Sequence, residues 1–208
     1  ADVIMGLDMT DQGTGSHYNS AFYFSPFSDE IASYNKQVLV PVAEYLPVKA
    51  LGKIAGQFGI HDFFEKGAGP VVFEGSIPMG VSICYEECFG DLMRKNRLEG
   101  AEIFLNLSND GWFPGSNLPH QHFIHGRVRS VEMGLPMVRA CNNGMTGVID
   151  SLGRTQELLC GSDKGVAHLK LNRYNYPTLY SSFGDKLIVF PSIFIVIIWL
   201  IVRKIRLE

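Results

Sequence analysis

Cys84 closes an apolar run, Gly80 to Ile83, and is followed at once by Tyr85, Glu86 and Glu87 in a polar stretch with helical spacing. The apolar run reads as a buried strand. The thiol therefore stands where a strand meets the start of a helix, whose free N–H groups and partial positive charge stabilise a thiolate. Such a turn makes a nucleophile, with backbone donors at hand for the oxyanion formed when a carbonyl is attacked. A buried structural cysteine would fit the same place, so the neighbours must decide. Glu86 and Glu87 put carboxylates beside the thiol. Lys36 and Glu44 lie on either side of the bend that leads into Pro41 to Pro47, PVAEYLP, a loop that two prolines make rigid. Both side chains can converge there on one pocket, although each alone would read as a solvated surface charge. A carboxylate base and a lysine to hold the oxyanion suffice for acyl transfer without histidine.

Other chemistries fit less well. Cys84 and Cys88 lack paired C-x-x-C spacing, and His120, His122 and His125 match neither H-E-x-x-H nor a finger pattern, so no metal site is expected. His122, His125, Arg129 and Glu132 read instead as the polar face of a helix. No G-x-S-x-G elbow is present for a serine hydrolase, and nothing selects one of the six histidines as a partner for Cys84.

These residues need a scaffold, and the pattern along the chain supplies one. Strands are expected at Val3 to Leu7, Ser20 to Ser25, Val71 to Glu74, Pro78 to Cys84, Ala101 to Leu107, Met137 to Cys141, Thr146 to Asp150 and Val166 to Leu171. Helices are expected at Val48 to Phe58, Glu86 to Leu98 and residues 120 to 133, the last two stopped by Gly100 and Gly134. Asp8 to Asn19 and Ser108 to Phe113 read as loops, and Asn172 to Asp185 as a polar, aromatic linker. Strands alternating with helices, then paired strands, indicate a layered α/β sheet.

The composition agrees. A chain of 208 residues with 46% hydrophobic and 19% charged residues can bury one good core. A net charge of -3 without a basic stripe argues against a nucleic-acid partner, and four cysteines are not a disulfide framework. The N-terminus has no basic n-region or long apolar h-region and reads as an internal strand, so the chain is expected to be a piece of a longer protein. Leu187 to Val202 carries no charge and is followed by Arg203, Lys204 and Arg206. That stretch reads as a membrane helix, with a buried core helix as the alternative. The positive-inside rule would then place the C-terminal tail in the cytoplasm and residues 1–185 on the other side.

Taken together, YNKQVLVPVAEYLP, SICYEECFGD, SNDGWF, HGRVRSVEMGLP and CNNGMTGVIDSLG closely resemble the nitrilase-like domain of the apolipoprotein N-acyltransferases, within the carbon-nitrogen hydrolase superfamily. The blocks match in order and approximate spacing over residues 1 to about 185, and the helix after the linker corresponds to that family's last membrane helix. The resemblance implies an α-β-β-α sandwich (residues 1–185, incomplete at the N-terminus) and a transmembrane helix with a short tail (186–208). It implies an inner-membrane enzyme with its catalytic domain on the periplasmic side. That enzyme takes an acyl chain from a phospholipid as a cysteine thioester and passes it to the diacylglyceryl-cysteine of a lipoprotein. Carried over, Cys84 is the nucleophile, Lys36 stabilises the oxyanion, Glu44 and Glu86 orient Lys36 and the thiol, and Tyr85 shapes the pocket. Trp112 resembles a tryptophan near the substrate entrance, and Tyr45 is the second candidate for substrate binding. No cofactor or metal is implied. One departure stands out: the family's general-base glutamate falls upstream of the first strand here. An amidase acting on small amides, or a membrane-tethered module without catalysis, are the alternatives.

Overall fold

The computed structural model describes residues 1–47, 63–112, 115–161 and 165–206. A three-stranded antiparallel sheet opens the chain: β1 (Val3–Thr10), β2 (His17–Phe24) and β3 (Ala32–Asn35), in that order. Both strands of the first hairpin run further than the expected loop at Asp8 to Asn19 allows. The Asp11 carboxylate accepts the Gly13 and Thr14 N–H groups and tightens the turn to a few residues.

The second sheet has six strands: β4 (Val72–Glu74), β5 (Pro78–Ile83), β6 (Ile103–Ser108), β7 (Met137–Cys141), β8 (Gly144–Ile149) and β9 (Thr155–Gly161). Its centre, β5–β6–β7, is parallel and its flanks are antiparallel. Parallel neighbours need crossovers, and α1 (Gly90–Leu98) and α2 (Leu118–Met133) provide them. Strands covered on both faces read as continuous apolar runs, which is why Gly80 to Ile83 and Ile103 to Leu105 were legible as strands. Gly80 lets α1 approach β5: a Cβ there would lie 2.8 Å from Asn96 Cβ and 2.9 Å from Ala101 Cβ. α2 ends, as its sequence predicts, at Gly134 with φ 63°.

Two cores hold the layers. Leu92, Met93, Phe123 and Met133 of the helices pack on Phe104, Met137 and Ile149 of the six-stranded sheet. Across its other face, Phe73, Val81 and Ile83 meet Ala21, Tyr23 and Tyr34 of the small sheet, with Tyr23 stacked on Phe73 at 5.3 Å between centroids. The described order is therefore helices, sheet, sheet. The helix expected at Val48 to Phe58 lies outside the described residues.

Two expectations need correction. The helix expected from Glu86 does not start there: Cys84–Cys88 is a 3₁₀ turn, and α1 begins only at Gly90, after Phe89 in extended conformation. The strand expected at Val166 to Leu171 is absent, since residues 165–178 form neither strand nor helix. The last strand is β9, upstream. Asp150 caps the intervening turn, accepting the Leu152 and Arg154 N–H groups, and so folds Thr155 back along β8.

The linker is fastened to α1. Arg94 donates to the Ser181 and Ser182 carbonyls and Arg97 to that of Tyr176. Thr178 caps a short helix, α3 (Leu179–Phe183), and α4 (Lys186–Ile205) follows. Its 20 residues have a peak mean hydropathy of 2.3, and among the described residues it is the one helix long and apolar enough to cross a membrane. No residue of α4 is buried.

Candidate active site

The carboxyl ends of parallel β5 and β6 gather the chemistry. Cys84 follows β5 with φ 53°, a left-handed conformation that non-glycine residues rarely adopt. Two contacts hold it there. Asn106 on β6 donates to the Cys84 carbonyl at 3.2 Å and to Ser82 Oγ at 3.0 Å. Glu86, two residues on, reaches back to the Ile83 N–H at 2.8 Å. The thiol is half-buried and free of any disulfide.

Glu86 is fully buried and acts as a junction. One oxygen accepts the Gln37 and Val38 N–H groups at 2.6 and 2.9 Å; the other accepts the Ile83 N–H and the Tyr34 hydroxyl, each at 2.8 Å. The carboxylate thereby joins the cysteine turn to the segment that carries Lys36. Burial pushes its pKa above the ordinary value, and the four donors pull against that.

Lys36 is 1% exposed. Its Nζ lies 2.9 and 2.8 Å from the two oxygens of Glu44, which also accept from Asn19 Nδ2 and the Val40 N–H. The ammonium has three donors, so one N–H remains beyond those to Glu44. The sequence placed these two charges in one pocket, and they form an ion pair. Glu44 itself rides on the tight loop at Val42, where φ is 72°.

The remaining predicted residues have the following surroundings. Tyr85 packs edge-on against Phe89 at 4.9 Å. Tyr45 lines a cavity of about 530 Å³ with Leu39, Leu46, Phe63, Phe64, Glu65 and Lys66, and the Lys66 ammonium lies 5.8 Å from its ring centroid. Trp112 ends a 3₁₀ turn, Asp110–Trp112, after β6.

Sequence reasoning missed a polar layer behind the cysteine turn. Arg139 on β7 and Glu87, both fully buried, pair through two hydrogen bonds of 2.7 and 3.0 Å. Burial pushes Glu87 up to about 7 while Arg139 pulls it down. His122 does not belong to the polar helix face where the sequence placed it. It is 6% exposed, on the inner side of α2, with Nδ1 2.9 Å from Asp110 Oδ1. The Cys84 sulfur, an Asp110 oxygen and a His122 ring nitrogen all lie within 4.8 Å of one another. These residues come from separate elements, so no local spacing could have flagged them. Burial pushes the thiols of Cys88 and Cys141 up to about 12.

The carbon-nitrogen hydrolase family matches residues 3–170, four-fifths of the chain. The chain belongs to the carbon-nitrogen hydrolase family. Within it, the chain is 40% identical over 208 residues to the apolipoprotein N-acyltransferase of Chlamydia caviae and 37% identical over 213 residues to that of Chlamydia muridarum. Those alignments cover 93% and 92% of this chain but 38% of each relative, so the chain spans well under half the length of the curated relatives it matches. The carbon-nitrogen hydrolase of Helicobacter pylori shares the fold with a TM-score of 0.64 at 16% identity, over 92% of this chain and 67% of that one. The nitrilase-like α/β fold expected from the sequence is thus the fold of this carbon-nitrogen hydrolase.

Proposed function

We propose that this carbon-nitrogen hydrolase domain is the catalytic part of a membrane apolipoprotein N-acyltransferase. The similarity to the two chlamydial enzymes supports that substrate class. The observation that carries the chemistry is the Glu86 junction, which fixes the strained Cys84 turn against the Lys36–Glu44 pair. The Cys84 thiolate attacks the ester carbonyl of a phospholipid. Lys36, oriented by Glu44, holds the oxyanion with its remaining N–H. Collapse breaks the ester C–O bond, releases the lysophospholipid with a proton, and leaves a thioester on Cys84. The α-amino group of a diacylglyceryl-cysteine then attacks the thioester, the C–S bond breaks, and an amide forms while the thiolate returns. The resemblance implies a general-base glutamate outside residues 1–208: it takes the Cys84 thiol proton, passes it to the departing lysophospholipid oxygen, and takes the amine proton in the second step.

Tyr85 shapes the pocket, and Tyr45 and Trp112 bind substrate. Residues 1–185 form the catalytic domain and 186–208 the membrane segment and tail. α4, exposed throughout and carrying Arg203 and Lys204 in its last turn, anchors the site where both substrates reside. The basic end lies in the cytoplasm and the catalytic domain across the bilayer.

The test is the intact mass of the full-length protein after incubation with phospholipid in detergent, beside Cys84→Ala. An acyl adduct that needs Cys84 is expected, with transfer to a diacylated lipopeptide. An adduct on another residue, or turnover of short soluble amides without any adduct from lipid, would overturn the proposal.

A further inference from the structure

Acyl transfer as written above uses Cys84, Lys36, Glu44 and Glu86 and leaves Asp110 and His122 without a task. Both are buried, at 3% and 6% exposure, and both face the nucleophile. One Asp110 oxygen accepts Ser108 Oγ at 2.8 Å and pairs with His122 Nδ1 at 2.9 Å. The other oxygen is buried with no hydrogen-bond partner among the described residues, and an Arg139 guanidinium nitrogen stands 4.0 Å away. An acceptor left bare in the interior is costly, and a ligand would satisfy it.

We propose that Cys84, Asp110 and His122 form a binding site for a thiophilic divalent cation of the zinc class, and that its occupancy masks the nucleophile. A sulfur, an imidazole nitrogen and a carboxylate oxygen are the ligand types of zinc sites that keep a fourth position open. A thiolate with an imidazole selects zinc or copper over magnesium or calcium. Tetrahedral bonds of about 2.0–2.3 Å put ligand atoms roughly 3.3–3.6 Å apart. The three atoms already lie within 4.8 Å of one another, so side-chain rotation has to close no more than about 1.5 Å against that spacing. The ligands come from three elements of the fold: the turn after β5, the turn after β6, and α2. Those elements are packed against one another, which fixes the site before the ion arrives. On binding, the metal–sulfur bond forms and the Cys84 thiol proton passes to the buffer. The sulfur lone pair is then unavailable for the carbonyl, so metal and acyl donor compete for one atom. Binding stands on the geometry alone; its inhibitory effect rests on the acyltransferase reading.

The experiment uses the full-length protein in detergent with cobalt(II) chloride as the probe. One equivalent of cobalt is expected to give a sulfur-to-cobalt charge-transfer band. Zinc should displace it and magnesium should not. Cys84→Ser, a near-isosteric change at a half-exposed side chain, is expected to abolish the band. His122→Ala and Asp110→Asn are each expected to weaken cobalt binding by tenfold or more. In parallel, zinc should slow alkylation of Cys84 by iodoacetamide at least tenfold, and His122→Gln should remove that protection. No band with the unaltered protein, a band that persists in Cys84→Ser, or protection that survives both the histidine and the aspartate changes would overturn the site. Acyl adduct formation in chelator-treated buffer is scored separately. A protein that acylates but does not bind cobalt sinks only this inference, and one that binds cobalt but never acylates sinks only the proposed function.

Discussion

Glutamine at position 86 is the most informative single change, because every hydrogen bond it disturbs can be counted. The Glu86 carboxylate accepts four donors, of which three are backbone N–H groups that cannot reverse their role. A glutamine side chain must turn its NH₂ toward one pair. Facing Gln37 and Val38, it would strand two N–H groups; facing Ile83 and Tyr34, it strands one, since the tyrosine hydroxyl can rotate to accept. The second arrangement wins. One buried N–H without an acceptor costs about 1–3 kcal/mol, and the surviving bonds lose their charge assistance, roughly half their strength. A net loss of about 2–3 kcal/mol corresponds to a Tm drop of roughly 4–12 °C in a domain of this size. The Ile83 bond sets the turn that carries Cys84, so acylation should also slow, on the order of 10²-fold for a displacement of about 1 Å. Thermal unfolding by circular dichroism and a mass-resolved time course of Cys84 acylation read the two effects. If burial has left the carboxyl protonated in the fold, one bond is already reversed and Glu86→Gln is nearly neutral. A Tm within about 1 °C of the unaltered protein would therefore refute the anionic junction described here.

Four further outcomes are expected. Arg139→Met leaves Glu87 buried without its partner and should cost about 3–5 kcal/mol, and adding Glu87→Leu should recover much of it, as read by denaturant midpoints. Gly80→Ala drives a methyl into Asn96 and Ala101 and should cost about 1–3 kcal/mol in the same assay. With burial holding Cys88 and Cys141 near a pKa of about 12, their labelling by iodoacetamide should rise about tenfold per pH unit between pH 8 and 11; a plateau below pH 10 would contradict those environments. Asp150 is pushed up by burial, but the Arg154 and Leu152 N–H groups and the Arg154 side chain outweigh that and hold it below its ordinary value of 3.8. The folded state then binds fewer protons than the unfolded one, so this contribution is present above pH 3.8 and is lost as pH falls further; Asp150→Asn should flatten the acid limb of the stability curve.

Much of the site was legible because its pieces are local. The strand-to-turn position of Cys84 shows as an apolar run ending there, and a proline-bounded loop announces that Glu44 is fixed in place. α4 shows itself by the uncharged run Leu187 to Val202, and α2 by the glycine that ends it. What stayed hidden depends on distance in the chain. Arg139 and Glu87 meet across a packed layer, and His122 turns inward although its neighbours His125 and Arg129 would suit a solvated face. The helix expected from Glu86 was displaced because that side chain is drawn to Ile83 and to the Lys36 segment, a tertiary contact that overrides the local helical pattern. β9 was misplaced because its alternation is weak; the turn that directs it back onto β8 combines the Asp150 cap with Gly153 at φ 76°.

The arrangement also explains why a strained cysteine can persist. A left-handed conformation at a non-glycine residue costs on the order of 1–3 kcal/mol, and the surroundings must hold it. Here Asn106 grips the Cys84 carbonyl from β6, Glu86 grips the Ile83 N–H from below, and Arg139 fixes Glu87 from β7. Each clamp comes from a different strand or turn, so the turn cannot relax without breaking contacts in two layers at once. Parallel strands make this possible, because β5, β6 and β7 all end on the same side of the sheet, where ligands of open α/β sheets bind. The same convergence that brings the Cys84 thiol to this edge of the sheet carries Asp110 to within reach of it. On the acyltransferase reading proposed above, a thiol held by strain and hydrogen bonds is already placed for attack when the acyl donor arrives, and the donor's binding energy can go to the transition state and not to ordering the turn.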